Sequence, residues 1–370
     1  MHIGIDGNEA NVVNRVGSNI YAYQTLRWMQ RSELETNFTV YLKEPSLYDL
    51  PKPTEAWSYR ILSPGLAWTR WRLPLDLYLH RPRPNVFFTP GHYAPRWCPV
   101  PMAISIMDLS FLHYPNLFRK RDLYKLVRWT NTSIQKAKHI FTISKFTKDD
   151  IIKNYRIPEE RITVTYPGYD RERFNENISK TEVDRVRKKY KIGGDYLIYV
   201  GTVQPRKNLR RLIRAIDSLE DKNCKIVIVG KTGWMYSRII SEGKKTGIEN
   251  RIIFTGFASD EDVPALVRGA RALVLISLYE GFGIPIVEAM AVGTPTVIAN
   301  SSSLPEIAGD TGITVDPKSV KSISRGLMEA LQLNEAKRKE LFVKSQQQLG
   351  KFRWENTARQ TLEVLHAIAV

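Results

Sequence analysis

The stretch Ala272-Leu273-Val274-Leu275-Ile276-Ser277-Leu278-Tyr279-Glu280-Gly281-Phe282-Gly283-Ile284-Pro285-Ile286-Val287-Glu288 decides the fold. Residues 272–276 are wholly apolar and short, which reads as a strand buried on both faces of a parallel sheet. Gly281 and Gly283 let the backbone turn tightly and leave room for a ligand beside the main chain. Pro285 suits the first turn of a helix, predicted over 286–292. Glu280 therefore falls at a strand tip and Glu288 in the first turns of the next helix, so the two share no continuous helix face. A helix N-terminus offers exposed N–H groups and partial positive charge, which attract phosphate. Strand tip, glycine loop, helix start and two carboxylates suit a ligand that is part phosphate and part hydroxyl-rich.

Outward from this unit the pattern repeats. Short apolar runs at 2–5, 38–42, 86–89, 102–106, 139–143 and 162–165 read as strands in the first half. In the second half they fall at 196–200, 225–229, 251–254 and 296–299, with helical periodicity over 209–219, 320–331 and 335–349. Such alternation argues for an α/β protein with parallel sheets covered by helices on both faces. A chain of 370 residues exceeds what one core usually supports. Two domains are expected, 1–168 and 191–350, joined by a polar, weakly periodic linker at 169–190, with a cleft between them. Residues 351–370 form a separate amphipathic helix.

Composition excludes several classes. Hydrophobic residues at 43% and charged residues at 25% describe an ordinary globular protein, and no apolar run approaches the length of a membrane span. Met1 is followed at once by a strand, which leaves no room for a signal peptide. The two cysteines, Cys98 and Cys224, lie far apart with no CxxC or Cys/His cluster, so no zinc site is expected and a reducing cytoplasm is. The net charge of +17 is unusual and asks for an anionic partner.

In open α/β sheets ligands sit beyond the carboxyl ends of the strands. There the sequence places Gly201 followed by Arg206 and Lys207, Gly230 with Lys231, and the Glu280 loop. Two cations at one strand tip form a diphosphate clamp, against the reading that they are solvated loop charges. Glu288, so near a helix start, could simply favour the dipole. Ser303 and Glu306 read as a capping box. In the first half, Gly17 sits in a strand-to-helix loop before a helix starting near Ile20. Asp108, just after the strand 102–106, is either a sugar or acceptor contact or a cap for the next turn. Arg70, Arg72, Arg81, Arg83 and Arg96 interleave with Trp68, Trp71 and Trp97, and a second basic run occupies 119–128. That mixture suits an anionic membrane surface or a packed core, and nucleic acid much less.

Glu280-x7-Glu288 around Gly281-Phe282-Gly283-Ile284-Pro285 resembles the signature of retaining family 4 glycosyltransferases, closest to bacterial mannosyltransferase-like members. Gly201 with Pro205-Arg206-Lys207-Asn208 resembles their diphosphate loop. Residues 302–306, 309–312, 352–355 and 157–168 resemble further family segments, so the likeness spans nearly the whole chain. The resemblance implies the GT-B fold, two facing Rossmann-like domains with the last helix crossing back to the first. The N-terminal domain would bind the acceptor and the C-terminal domain a nucleotide-diphosphate sugar, with GDP-mannose the first expectation. By the same resemblance Arg206, Lys207 and Gly17 would hold the diphosphate. Glu280, with the backbone of Gly281, Phe282, Gly283 and Ile284, would hold the sugar, and Glu288 the ribose. Many members place a histidine before Asp108, where this chain has Met107, which leaves the sugar open. The implied reaction is retaining transfer of a hexose to a hydroxyl of a glycan or lipid-linked acceptor. It needs no metal or cofactor, and its setting would be cytoplasmic or peripheral on the inner face of the plasma membrane. The rivals are another GT-B enzyme, such as a nucleotide-sugar epimerase, and a non-catalytic basic binding protein on a Rossmann scaffold.

Overall fold

A computed structural model describes residues 1–32, 35–230 and 236–369. The chain divides into two compact units, residues 1–168 with 353–370, and residues 169–352. The first is built on strands β1 (His2–Asp6), β2 (Asn37–Leu42), β3 (Trp57–Ile61), β4 (Val86–Thr89), β5 (Met102–Ile106), β6 (His139–Thr142) and β7 (Ile162–Val164). The second is built on β8 (Tyr196–Val200), β9 (Lys225–Val229), β10 (Ile252–Gly256), β11 (Ala272–Leu275), β12 (Thr296–Ala299) and β13 (Gly312–Val315).

Every recorded pairing is parallel, in the orders β3-β2-β1-β4-β5-β6-β7 and β10-β9-β8-β11-β12-β13. The central strands β4, β5, β11 and β12 are buried at every position, because helices cover both faces, and that is why they read as unbroken apolar runs. In the second sheet β8 pairs with β9 on one side and β11 on the other. The chain order reverses there, the position at which open sheets of this kind bind their ligands.

Two strands go beyond the sequence expectation, and both are sheet edges. β3 buries only Trp57 and has polar residues among its partly solvated positions, and β13 is four residues opening on glycine, so neither forms an apolar run. The expected linker 169–190 is corrected: it belongs to the second unit and holds the helix Lys180–Lys189. That helix is tied down by Asp262, a buried carboxylate accepting from Arg185 at 2.9 Å, Lys189 at 2.5 Å and Tyr190 at 2.9 Å. A polar sequence concealed the attachment because its anchors are charged.

The last helix, Trp354–Ile368, packs Ala358, Leu362 and Leu365 into the first unit's core beside Ala22, Leu26 and Met29 of the helix Ser18–Ser32. Its entry is close-fitting. A Cβ on Gly168 would lie 2.3 Å from the Trp354 nitrogen, and the Thr357 hydroxyl donates to the Tyr166 carbonyl at 2.5 Å.

Candidate active site

The loop after β8 folds into a short 3-10 turn, Pro205–Lys207, closed by Asn208 in the left-handed region at φ 61°. Asparagine tolerates that conformation, and here its buried amide donates to the Ile276 and Pro317 carbonyls at 3.1 and 2.7 Å. The Leu278 N–H donates to the Arg206 carbonyl at 2.9 Å, joining this loop to the tip of β11. Gly230 completes the junction, since a Cβ there would lie 2.1 Å from the Gly201 carbonyl oxygen. Lys231 lies outside the described residues.

This frame brings Arg206, Lys207 and Glu280 into direct contact. Arg206 Nη1 donates to Glu280 Oε2 at 2.9 Å and to the Tyr279 carbonyl, while Lys207 Nζ donates to Glu280 Oε1 at 2.5 Å. Glu280 is buried, which alone would raise its pKa, but Lys207 and Arg206 outweigh burial and hold the carboxyl down at about 2. The two cations are thus engaged by a carboxylate rather than standing open as a clamp. The triad carries one net positive charge at the switch point of the sheet.

The Glu280 backbone is fixed from β12. Its N–H donates to Ser302 Oγ at 3.0 Å, and Ser303 Oγ reaches the carbonyls of Glu280 and Phe282 at 3.0 and 2.9 Å. The capping box expected at Ser303 and Glu306 does not form. Ser303 occupies the N-cap of the helix Leu304–Ala308 without a side-chain cap bond, because its hydroxyl is spent on the glutamate loop. Gly283 has φ +115°, and a Cβ there would meet Leu304 Cδ2 at 2.9 Å. Phe282 stacks edge-on against Phe352 at 5.4 Å, so its side chain is a core anchor. The helix Ile284–Ala291 follows, with Pro285 in its first turn.

Glu288 sits on that helix, half-buried. Burial pushes its pKa up to about 7, opposed by Arg173 and helped by Asp170 and Asp260. The loop and the helix it leads into thus carry two carboxyls whose pKa values are pushed in opposite directions.

In the first unit Gly17 directly precedes the helix Ser18–Ser32, has φ +50°, and has open space where a Cβ would be. Asp108 Oδ1 accepts from the Ser110 N–H at 2.8 Å and its hydroxyl at 2.6 Å, so the capping alternative has a concrete partner. Two neighbouring groups escaped the sequence reading. His92 Nε2 accepts the Met107 N–H at 3.0 Å, which places the ring proton on Nδ1. Burial lowers the His92 pKa, with Asp108 opposing. Glu9 accepts from Asn19 Nδ2 at 2.9 Å, and burial raises its pKa. Their only sequence signal is position, each lying a few residues beyond the end of a strand.

Two Rossmann-like units of this topology define the GT-B class of glycosyltransferases. Sucrose-phosphate synthase from Thermosynechococcus elongatus superposes with a TM-score of 0.79 at 16% identity, covering 99% of this chain and 98% of that one. WaaG, a glycosyltransferase involved in lipopolysaccharide biosynthesis, does so at 0.74 and 15%, covering 99% of both. Residues 181–348 match the glycosyl transferases group 1 model and residues 17–173 the Glycosyltransferase Family 4 model. O-antigen chain mannosyltransferase B of Escherichia coli is 31% identical over 312 residues, 82% of this chain and 78% of that protein. Serotype-specific mannosyltransferase WbdA of Escherichia coli is 30% identical over 258 residues, 68% of this chain and 31% of that longer protein. The chain belongs to glycosyltransferase family 4 and is a glycosyltransferase.

Proposed function

We propose that the enzyme transfers mannose, with retention, from GDP-mannose to a hydroxyl of a glycan or lipid-linked acceptor. The observation that carries the donor reading is the Arg206–Glu280–Lys207 triad at the switch point between β8 and β11. A diphosphate offers two cations more negative charge than one carboxylate does, so it competes with Glu280 for them. Glu280 would then turn to the hydroxyls of the transferred sugar and stabilise positive charge building at its anomeric carbon. Backbone N–H groups from Gly281 to Ile284 would support sugar and phosphate, Gly17 would let main chain approach the diphosphate, and Glu288 would accept from the ribose. Asp108 serves as a sugar or acceptor contact. Mannose is supported by the names of the similar chains, among them O-antigen chain mannosyltransferase B.

In the step itself the acceptor oxygen bonds to the anomeric carbon as the bond from that carbon to the diphosphate oxygen breaks. The acceptor proton passes to the leaving diphosphate, whose charge Arg206 and Lys207 neutralise, so the scheme invokes no metal. The scheme forms no covalent glycosyl–Glu280 intermediate, unlike retaining glycosidases whose paired carboxyls include a nucleophile. The setting that goes with a lipid-linked acceptor is cytoplasmic, peripheral to an anionic membrane surface.

A thermal-shift panel of GDP-, UDP- and dTDP-sugars tests this, because a ligand that binds the native state raises its apparent stability. GDP-mannose should give the largest rise, followed by acceptor-independent donor hydrolysis. A larger rise with UDP-glucose overturns mannose. No rise with any of them overturns the donor site.

A further inference from the structure

The charge surplus is concentrated rather than spread. Residues 60–138 hold 13 Lys and Arg against 3 Asp and Glu, a surplus of ten within a net +17. The structure sorts the tryptophans of this region into two kinds. Trp68 is core, with its indole N–H donating to buried Asp6 at 2.7 Å. Trp71 and Trp97 are surface: they stack on each other at 5.2 Å, and Trp71 stays 62% exposed. Leu75 and Leu79, on the helix Leu73–Leu79, are 55% and 72% exposed, and Tyr78 lies exposed between them. Arg96 sits over the Trp97 ring at 4.8 Å.

The helix Lys120–Lys136 continues this face, since Arg70 and Lys125 both approach the Trp129 ring, at 5.3 and 5.7 Å. It carries Lys120, Arg121, Lys125, Arg128 and Lys136 against Asp122 alone, and it exposes Tyr124. At its far end a groove of about 940 Å³ opens, with Tyr78 and Trp97 in its wall. Four cations line it, Arg96, Lys136, Lys138 and Arg161, and, among the described residues, no carboxylate does. The groove lies where β5 and β6 begin, so it sits at the amino edge of the sheet, the opposite edge from Gly17 and Asp108.

We propose that this face docks the protein on an anionic lipid bilayer, with the Trp71, Leu75 and Leu79 side chains at headgroup depth and the groove receiving phosphate headgroups. Large apolar side chains held in water next to unopposed cations match the two layers of a bilayer surface, apolar below and anionic above. A neutral protein partner would leave the groove's four cations without counter-charge. The proposal rests on the peripheral reading above for its purpose, but not for its physics, and the two can fail separately.

The test is flotation of the full chain with vesicles of neutral phosphatidylcholine or of phosphatidylcholine containing about a third phosphatidylglycerol. Binding should occur on the anionic vesicles, fall at least tenfold from low to about 0.5 M salt, and be near background on neutral ones. Lys136→Gln with Lys138→Gln should lower the partition roughly 30-fold, given about 1 kcal/mol per cation near such a surface. Trp71→Ser with Leu79→Ser, both exposed and so tolerable to the fold, should lower it about tenfold while the melting curve and the nucleotide-sugar shift stay at wild type. Brominated lipid should quench the wild type's tryptophan emission, and Trp71→Phe with Trp97→Phe should lose most of that quenching. Wild-type partition by both the Lys136/Lys138 and the Trp71/Leu79 variants overturns the surface, as does equal binding to neutral vesicles. Single-stranded RNA bound where anionic vesicles are not would reassign the face to nucleic acid and overturn the lipid. An intact nucleotide-sugar shift alongside failed flotation sinks the docking alone.

Discussion

Glu280 is a buried carboxylate that stays ionised only because Lys207 and Arg206 hold both of its oxygens. Glu280→Gln therefore removes one charge and leaves two cations facing each other with a neutral amide. Breaking a buried pair this way costs about 3 kcal/mol, which a lower urea midpoint would show. The same substitution frees the clamp, so a nucleoside diphosphate should raise the melting temperature more in Glu280→Gln than in wild type, although sugar transfer falls by about 100-fold or more. An equal or smaller shift in the variant would mean that the diphosphate does not compete with Glu280. Glu288 makes a prediction of opposite sign. Its carboxyl, held near 7 by burial, must lose its proton to accept from a ribose, so donor affinity should strengthen between pH 6 and 8 with proton release on binding. Glu288→Gln should flatten that profile in calorimetry across buffers of different ionisation enthalpy. Glu280 and both cations stood out in the sequence because they lie at strand tips beside glycine-containing loops, and Glu288 because it opens the helix that follows one. Ser303 did not, because its spacing to Glu306 imitates a cap and only the fold shows its hydroxyl turned the other way, toward Glu280 and Phe282.

At the level of elements, the interior of each sheet and one edge of each, β7 and β10, could be read from the chain, and the other two edges could not. β11 and β12 announce themselves because both faces are buried, which leaves no room for polar residues. β3 and β13 are edges, half solvated and short, and a pattern shared with loops hides them. The loop between β11 and the next helix is held from the segment after β12 by two hydroxyls, Ser302 on the Glu280 N–H and Ser303 on the Glu280 and Phe282 carbonyls. Ser303→Ala would leave the Phe282 carbonyl without the hydroxyl and the Glu280 carbonyl with only the Ser303 N–H at 3.5 Å, so it should cost about 1–3 kcal/mol and lower turnover while diphosphate binding at Arg206 and Lys207 persists. Thermal melts beside kinetics separate these effects, and unchanged turnover would show that the loop holds itself. Gly168→Ala is the matching test of the last helix. Its Cβ would collide with the Trp354 backbone, so the helix Trp354–Ile368 should become open to limited proteolysis at a protease level the wild type resists.

Across the whole molecule the ionisable groups are divided so that the two units answer pH differently. All six histidines, His2, His80, His92, His113, His139 and His366, belong to the first unit. Burial lowers three of them, His2, His92 and His139, the last to about 4 with Arg161 and Lys148 assisting. A histidine whose folded pKa is lowered favours the unfolded chain as pH drops through its ordinary value near 6.5, because only the unfolded ring takes the proton there. Asp6 and Glu9 are raised by burial and return part of that loss as they protonate, but they are two carboxyls against three rings. In the second unit Glu288 is the group that titrates near neutrality. Its folded pKa of about 7 lies above its unfolded value, so acidification from 7 toward 4.5 stabilises that unit. Glu280 and Glu242, both lowered and both held by cations, keep their full contribution until pH falls below the ordinary carboxylate range. Between pH 7.5 and 5.5 the first unit should therefore lose stability relative to the second. Hydrogen exchange read by mass spectrometry on heating should show the gap shifting, with peptides of 1–168 opening earlier relative to those of 169–352 at the lower pH. A shift the other way would mean that Asp6 and Glu9 outweigh the histidines. His139→Gln, which removes the ring lowered to about 4, should shrink the expected shift and would enlarge a shift the other way.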